Sequence, residues 1–150
     1  MALKERLRGD LTTAMKARDE LTSSTLRMVL TAITNEEVAG KQARELSDDD
    51  IVKVLTREAK KRREAHDAYT QAGRDELATR EQAELGVIET YLPQQLTDEE
   101  LAALIDAAVE ETGASDPKAM GQVMKVLQPR IAGRADGAKV AAEVRRRLGA

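Results

Sequence analysis

Four basic side chains, Lys125, Arg130, Arg134 and Lys139, are interleaved with Gly133 and Gly137 in the stretch KVLQPRIAGRADGAK. Arginine and lysine make charge-assisted hydrogen bonds to phosphate oxygens, and glycine lets backbone come close to a ligand. The combination suits phosphate recognition. It also has a complete structural account. Pro129 can end one helix, Gly133 can take a left-handed conformation, and Asp136 can cap the helix that follows. The glycines and Asp136 serve the turn, whereas the turn has no need of Arg134. Arg134 therefore carries the phosphate reading.

Other chemistry is sparse. The chain has no cysteine, which removes disulfides, thiolate metal sites and thiol nucleophiles. His66, in RREAHDAY, is the sole histidine and is expected on an exposed helix face, so a histidine-based metal site is not available. The acidic run Ser47-Asp48-Asp49-Asp50 reads better as a helix start than as a magnesium site. There is no GxxxxGK[ST] phosphate loop, no GxGxxG and no nucleophile elbow. Glu36–Glu37 and Glu110–Glu111 are adjacent on helices, so their side chains diverge. No catalytic residue, metal or cofactor is expected.

Charge is segregated along the chain although the formal net charge is only −3. Lys53, Arg57, Lys60, Lys61, Arg62 and Arg63 cluster around the single acid Glu58. Between Pro93 and Asp116 the charged residues are all acidic; beyond Pro117, Lys118, Lys125, Arg130, Arg134, Lys139 and Arg145 to Arg147 outweigh Asp136 and Glu143. Two readings stand side by side. The segments are solvated helix faces whose opposite charges attract, or the basic half is a phosphate-binding surface with salt-sensitive affinity. Aromatic residues are limited to Tyr69 and Tyr91. That leaves no platform for stacking bases, so any nucleic-acid contact should run through phosphates and shape.

The elements that must position these residues are helical. Alanine, leucine, glutamate and arginine dominate, all strong helix formers. Apolar spacing predicts a first helix from Leu3 to Ala17, carrying Leu3, Leu7, Leu11, Ala14 and Met15 inward. Leu21 to Ser24 reads as a turn capping a second helix, which carries Leu26, Leu30 and Ile33 and ends near Gly40. Ser47 should cap a third helix running through Tyr69 to Gly73; a fourth, Asp75 to Leu92, carries Leu77, Leu85, Ile88 and Leu92. Pro93 closes it and marks the expected domain boundary. Thr97 and Glu100 form a capping box for the fifth helix, which Gly113 ends. Asp116-Pro117 opens a sixth that halts at Pro129, and Val140, Val144 and Leu148 belong to a seventh. The expected architecture is all-α: a bundle of about four helices over residues 1–92, then a smaller three-helix domain over 93–150. The absence of an apolar leader or spanning segment points to a cytoplasmic protein with no membrane partner.

Four blocks resemble the GatB/YqeY family. They are LRMVLTAITNEE (Leu26 to Glu37), ETYLPQQLTDEEL (Glu89 to Leu101), ETGASDPKAMGQVMKVL (Glu111 to Leu127) and PRIAGRADGAKV (Pro129 to Val140). Their order and spacing cover essentially the whole chain, which is most similar to the stand-alone YqeY-like form. Arg130 stands where lysine is common, preserving charge. The resemblance implies kinship with the helical C-terminal tail of the B subunit of the tRNA-dependent amidotransferase, a tail associated with holding tRNA. Members often carry the label of carbon–nitrogen ligase with glutamine as amido-N-donor. This chain lacks the kinase-like cradle domain of that subunit and the serine–lysine amidase machinery of its partner. The resemblance therefore implies a tRNA-interacting accessory module without catalysis of its own. Its phosphate contacts would be Lys125, Arg130, Arg134 and Lys139, with Gly133 and Gly137 allowing close approach. The alternative partner is an amidotransferase or aminoacyl-tRNA synthetase subunit on which the chain docks as a protein-interaction module.

Overall fold

The computed structural model describes residues 2–149. All regular structure among them is helical: α1 (Ala2–Lys16), α2 (Glu20–Glu37), α3 (Asp48–Gln71), α4 (Asp75–Glu89), α5 (Asp98–Thr112), a short 3-10 turn (Pro117–Ala119), α6 (Met120–Ile131) and α7 (Gly137–Arg147). The chain divides into two compact units, Met1–Leu92 and Pro93–Ala150, each with its own apolar cluster.

In the first unit Leu7, Leu26, Val29, Ile33, Leu46, Ile51, Leu55 and Ile88 are fully buried, an aliphatic core drawn from all four helices and the segment before α3. Four local expectations are corrected. Leu21 to Ser24 lie inside α2, not in a turn, because Asp19 caps that helix one residue earlier by accepting from the Thr22 amide at 3.1 Å and its hydroxyl at 2.7 Å. Arg18, in a left-handed conformation (φ 57°), makes the break. α2 also stops at Glu37, three residues short of Gly40. Met15 and Leu77 face solvent, at 51% and 41% exposure. Both lie on helices whose apolar stripe is already filled by neighbours such as Ala14 and Ala78.

The basic run on α3 is not a uniform solvated face. The Arg62 side chain, only 14% exposed, turns inward among Glu58 of its own helix and Glu81 and Glu84 of α4. Its Nε lies 3.4 Å from Glu84 Oε2 and 3.7 Å from Glu81 Oε2, and its Nη2 lies 3.5 Å from Glu58 Oε1. Lys61 and Arg80 supply the outer counter-charges to Glu58 and Glu84. Burial, reinforced by the neighbouring Glu84 charge, raises the Glu81 pKa above the usual glutamate value.

The second unit is built on Leu101, Ile105, Ala108, Val123, Leu127, Val140 and Val144. Thr97 and Glu100 form the capping box of α5, and Gly113 ends it in a left-handed conformation (φ 66°). Asp116 caps the 3-10 turn, and α6 follows from Met120. Pro129 does not stop α6: the helix continues to Ile131. A proline in the last turn sacrifices one backbone hydrogen bond, and burial of Leu127 and Ile131 on either side holds the chain helical through it. Asp136 caps α7 by accepting from the Ala138 amide at 3.1 Å.

Candidate nucleic-acid interface

The turn between α6 and α7 is set first by backbone. Gly133 takes φ 73°, a conformation that costs a side chain dearly, and the Arg134 amide donates to the Ile131 carbonyl at 2.8 Å. The segment after Pro93 then lies against this turn. The Leu96 amide donates to the Arg134 carbonyl at 2.9 Å, the Gln95 side-chain amide to the Gly133 carbonyl at 2.8 Å, and Arg134 Nε to the Gln94 carbonyl at 3.0 Å. Arg134 is therefore half-buried and tied to the chain leading into α5. That role has no local signature, because the partners lie about forty residues apart (|i−j| of 40 and 38).

The other candidate cations divide by partner. Arg130 Nη2 donates to both carboxylate oxygens of Glu111, at 2.8 and 3.1 Å. Lys139 Nζ donates to Asp98 Oδ1 at 2.5 Å, and the bond and charge of Asp98 raise the lysine pKa above its ordinary value. On the same helix Arg147 pairs with Asp106, and its Nη1 donates to the Ala102 carbonyl at 3.3 Å. Arg146 pairs with Glu143 at 2.7 Å. Lys118, Lys125 and Arg145 are exposed, and none has a carboxylate partner among the described residues. Lys125 stands on the face of α6 opposite Val123 and Leu127, and Lys118 belongs to the 3-10 turn that precedes the helix. Gly137 is exposed at the first position of α7, where an added Cβ would meet nothing within 4 Å.

Acidic α5 thus meets both basic helices, α6 through Glu111 and α7 through Asp98 and Asp106. The attraction between oppositely charged halves is realised as three ion pairs. The Arg130–Glu111 and Lys139–Asp98 pairs are exposed, and pairs of that kind each contribute about 0–1 kcal/mol, whereas the Arg147 side chain is only 20% exposed. Between α5 and α7 lies a cleft of about 260 Å³ floored by Leu101, Ala102 and Ile105 and rimmed by Asp98, Lys139, Glu143, Arg146 and Arg147. His66 belongs to α3 of the first unit, beside Asp67 at 3.2 Å. No group of three or more histidine and carboxylate side chains among the described residues is arranged to hold a metal ion.

Comparison with known proteins covers the same span. The family model described as Yqey-like protein matches residues 4–148. A protein of Eremothecium gossypii named altered inheritance of mitochondria protein 41, mitochondrial, is 32% identical over 124 residues, covering 78% of this chain and 67% of the relative. The protein of that name from Saccharomyces cerevisiae is 36% identical over 97 residues, covering 63% of this chain and 51% of the relative. The chain thus matches about two thirds of the first relative's length and about half of the second's. The expected cytoplasmic location is overturned by these relatives, which are named as mitochondrial. The expectation rested on the lack of an apolar leader, but mitochondrial leaders are amphipathic and Arg-rich, so that lack carries no information about them. No helix among the described residues is long and apolar enough to cross a membrane.

Proposed function

The chain belongs to the YqeY-like family, and on that premise we propose that its second unit, residues 93–150, is a domain that holds RNA, tRNA in the first place, through the phosphate backbone. The observation that carries this reading is the set Lys118, Lys125 and Arg145, three exposed cations without a carboxylate partner among the described residues. Two further cations of the same unit, Arg130 and Lys139, lie in exposed ion pairs. The resemblance of the sequence blocks to the tail of the tRNA-dependent amidotransferase B subunit supports the choice of tRNA. The scarcity of aromatic residues supports contact through phosphates over base stacking. On this reading the module acts as an accessory with no chemistry of its own.

Anisotropy titration of labelled tRNA tests the proposal. The expected result is saturable binding that weakens steeply with salt and weakens further in Lys125→Ala, with a shallower salt dependence by about one cation. An absence of binding at low salt, or binding indifferent to both salt and Lys125, would sink it.

A further inference from the structure

The cleft between α5 and α7 combines features that ordinary solvated faces lack. Its floor is apolar, formed by Leu101, Ala102 and Ile105, and three cations of α7, Lys139, Arg146 and Arg147, stand on its rim. The cations are not free. Asp98 holds Lys139, Glu143 holds Arg146, and Asp106 holds Arg147. A carboxylate bonded to lysine or arginine presents oxygens in the manner of a phosphate, so each aspartate of α5 occupies the place a phosphate oxygen would take.

We propose that this cleft is a phosphate-ester site under competition from its own wall: Asp98 and Asp106 of α5 occupy Lys139 and Arg147, and a phosphate group of the bound RNA must displace them. The inference rests on the RNA reading above and adds to it where one phosphate is seated and what limits its affinity. The apolar floor suits the carbon skeleton of the ester, and the rim suits its oxygens. With both aspartates in place the rim charges balance, so the site attracts an anion only weakly. Replacing an aspartate by asparagine keeps the shape and frees the cation.

Two double variants separate this from a general gain of positive charge. D98N/D106N neutralises the two aspartates that face the cleft cations. E99Q/E110Q changes the net charge equally on the same helix, at exposed acids with no ion-pair partner among the described residues. Labelled tRNA is titrated against each full-length variant and the parent chain across a salt series, with folding checked by circular dichroism. If D98N/D106N loses structure, D98N and D106N singly carry the same comparison. Seating one phosphate on the freed cations should steepen the log affinity–log salt slope by up to about 0.9, an additional loss of about 3.5-fold between 50 and 200 mM salt. D98N/D106N should also bind tighter at low salt, and E99Q/E110Q should leave the slope unchanged. Equal gains in the two variants, or parent-like binding by D98N/D106N, would overturn the inference while leaving the RNA reading intact. No binding by any of the three chains removes both.

Discussion

At the residue scale the two glycines of the α6–α7 turn have different physical standing. Gly133 is held at φ 73° with its carbonyl accepting from the Gln95 side-chain amide, so a Cβ there is strained whatever space surrounds it. Gly133→Ala should lower stability by about 1–2 kcal/mol in urea titration. Gly137 has no such need. Gly137→Ala should raise stability by about 0.5 kcal/mol, by restricting the unfolded chain and favouring the helix. If Gly137 also admits RNA backbone closely, the same substitution weakens tRNA binding while strengthening the fold, a pairing of effects that a purely structural glycine does not produce. Arg134 is the intermediate case. Its Nε and backbone are committed to the Gln94–Leu96 segment, so any phosphate contact it makes comes from a side chain already fixed in place.

At the scale of elements, the packing of α3 on α4 depends on one buried guanidinium. Arg62 stands among Glu58, Glu81 and Glu84, and Arg62 Nε and Glu81 Oε2 each lie buried without a hydrogen bond. Such a cluster is close to balance while intact and costly when one partner is removed. Arg62→Ala should cost about 3–5 kcal/mol, measured by thermal or urea unfolding, because three nearly buried carboxylates lose their shared cation. A loss below about 1 kcal/mol would show that water already satisfies these acids. Sequence alone grouped Arg62 with its exposed neighbours Lys61 and Lys53. Its inward turn follows from the angular position of residue 62 relative to Leu55 and Ala59, and from acids supplied by α4.

At the scale of the whole molecule, the chain carries two apolar clusters that share no residue. A core lesion in one should therefore be felt chiefly there. Leu127 is fully buried beside Ile105 and Val123, so Leu127→Ala should cost about 2–5 kcal/mol in the second unit. Native-state hydrogen exchange should record that loss in α5, α6 and α7 while the amides of α3 keep their protection. Equal loss across both units would mean that they unfold as one.

Much of this protein was legible as local chemistry. Ser47, Thr97, Asp116 and Asp136 declare helix starts because a cap bonds amides two or three residues away, and Gly113 declares an end because only local φ is at stake. The all-helical class and the acidic-then-basic division of the last third follow from composition and order alone. Pro129 misled because local propensity gave way to burial of Ile131 two residues later. What only tertiary structure decided is which charge meets which. Lys139 finds Asp98 41 residues away, Arg130 finds Glu111, and Arg134 finds the Gln94 carbonyl, while Lys118, Lys125 and Arg145 are left to solvent. Ion pairs of this kind are weak and do not direct folding. They are consequences of how apolar stripes bring α5, α6 and α7 together, so no reading of the basic residues in sequence order could divide the occupied cations from the free ones.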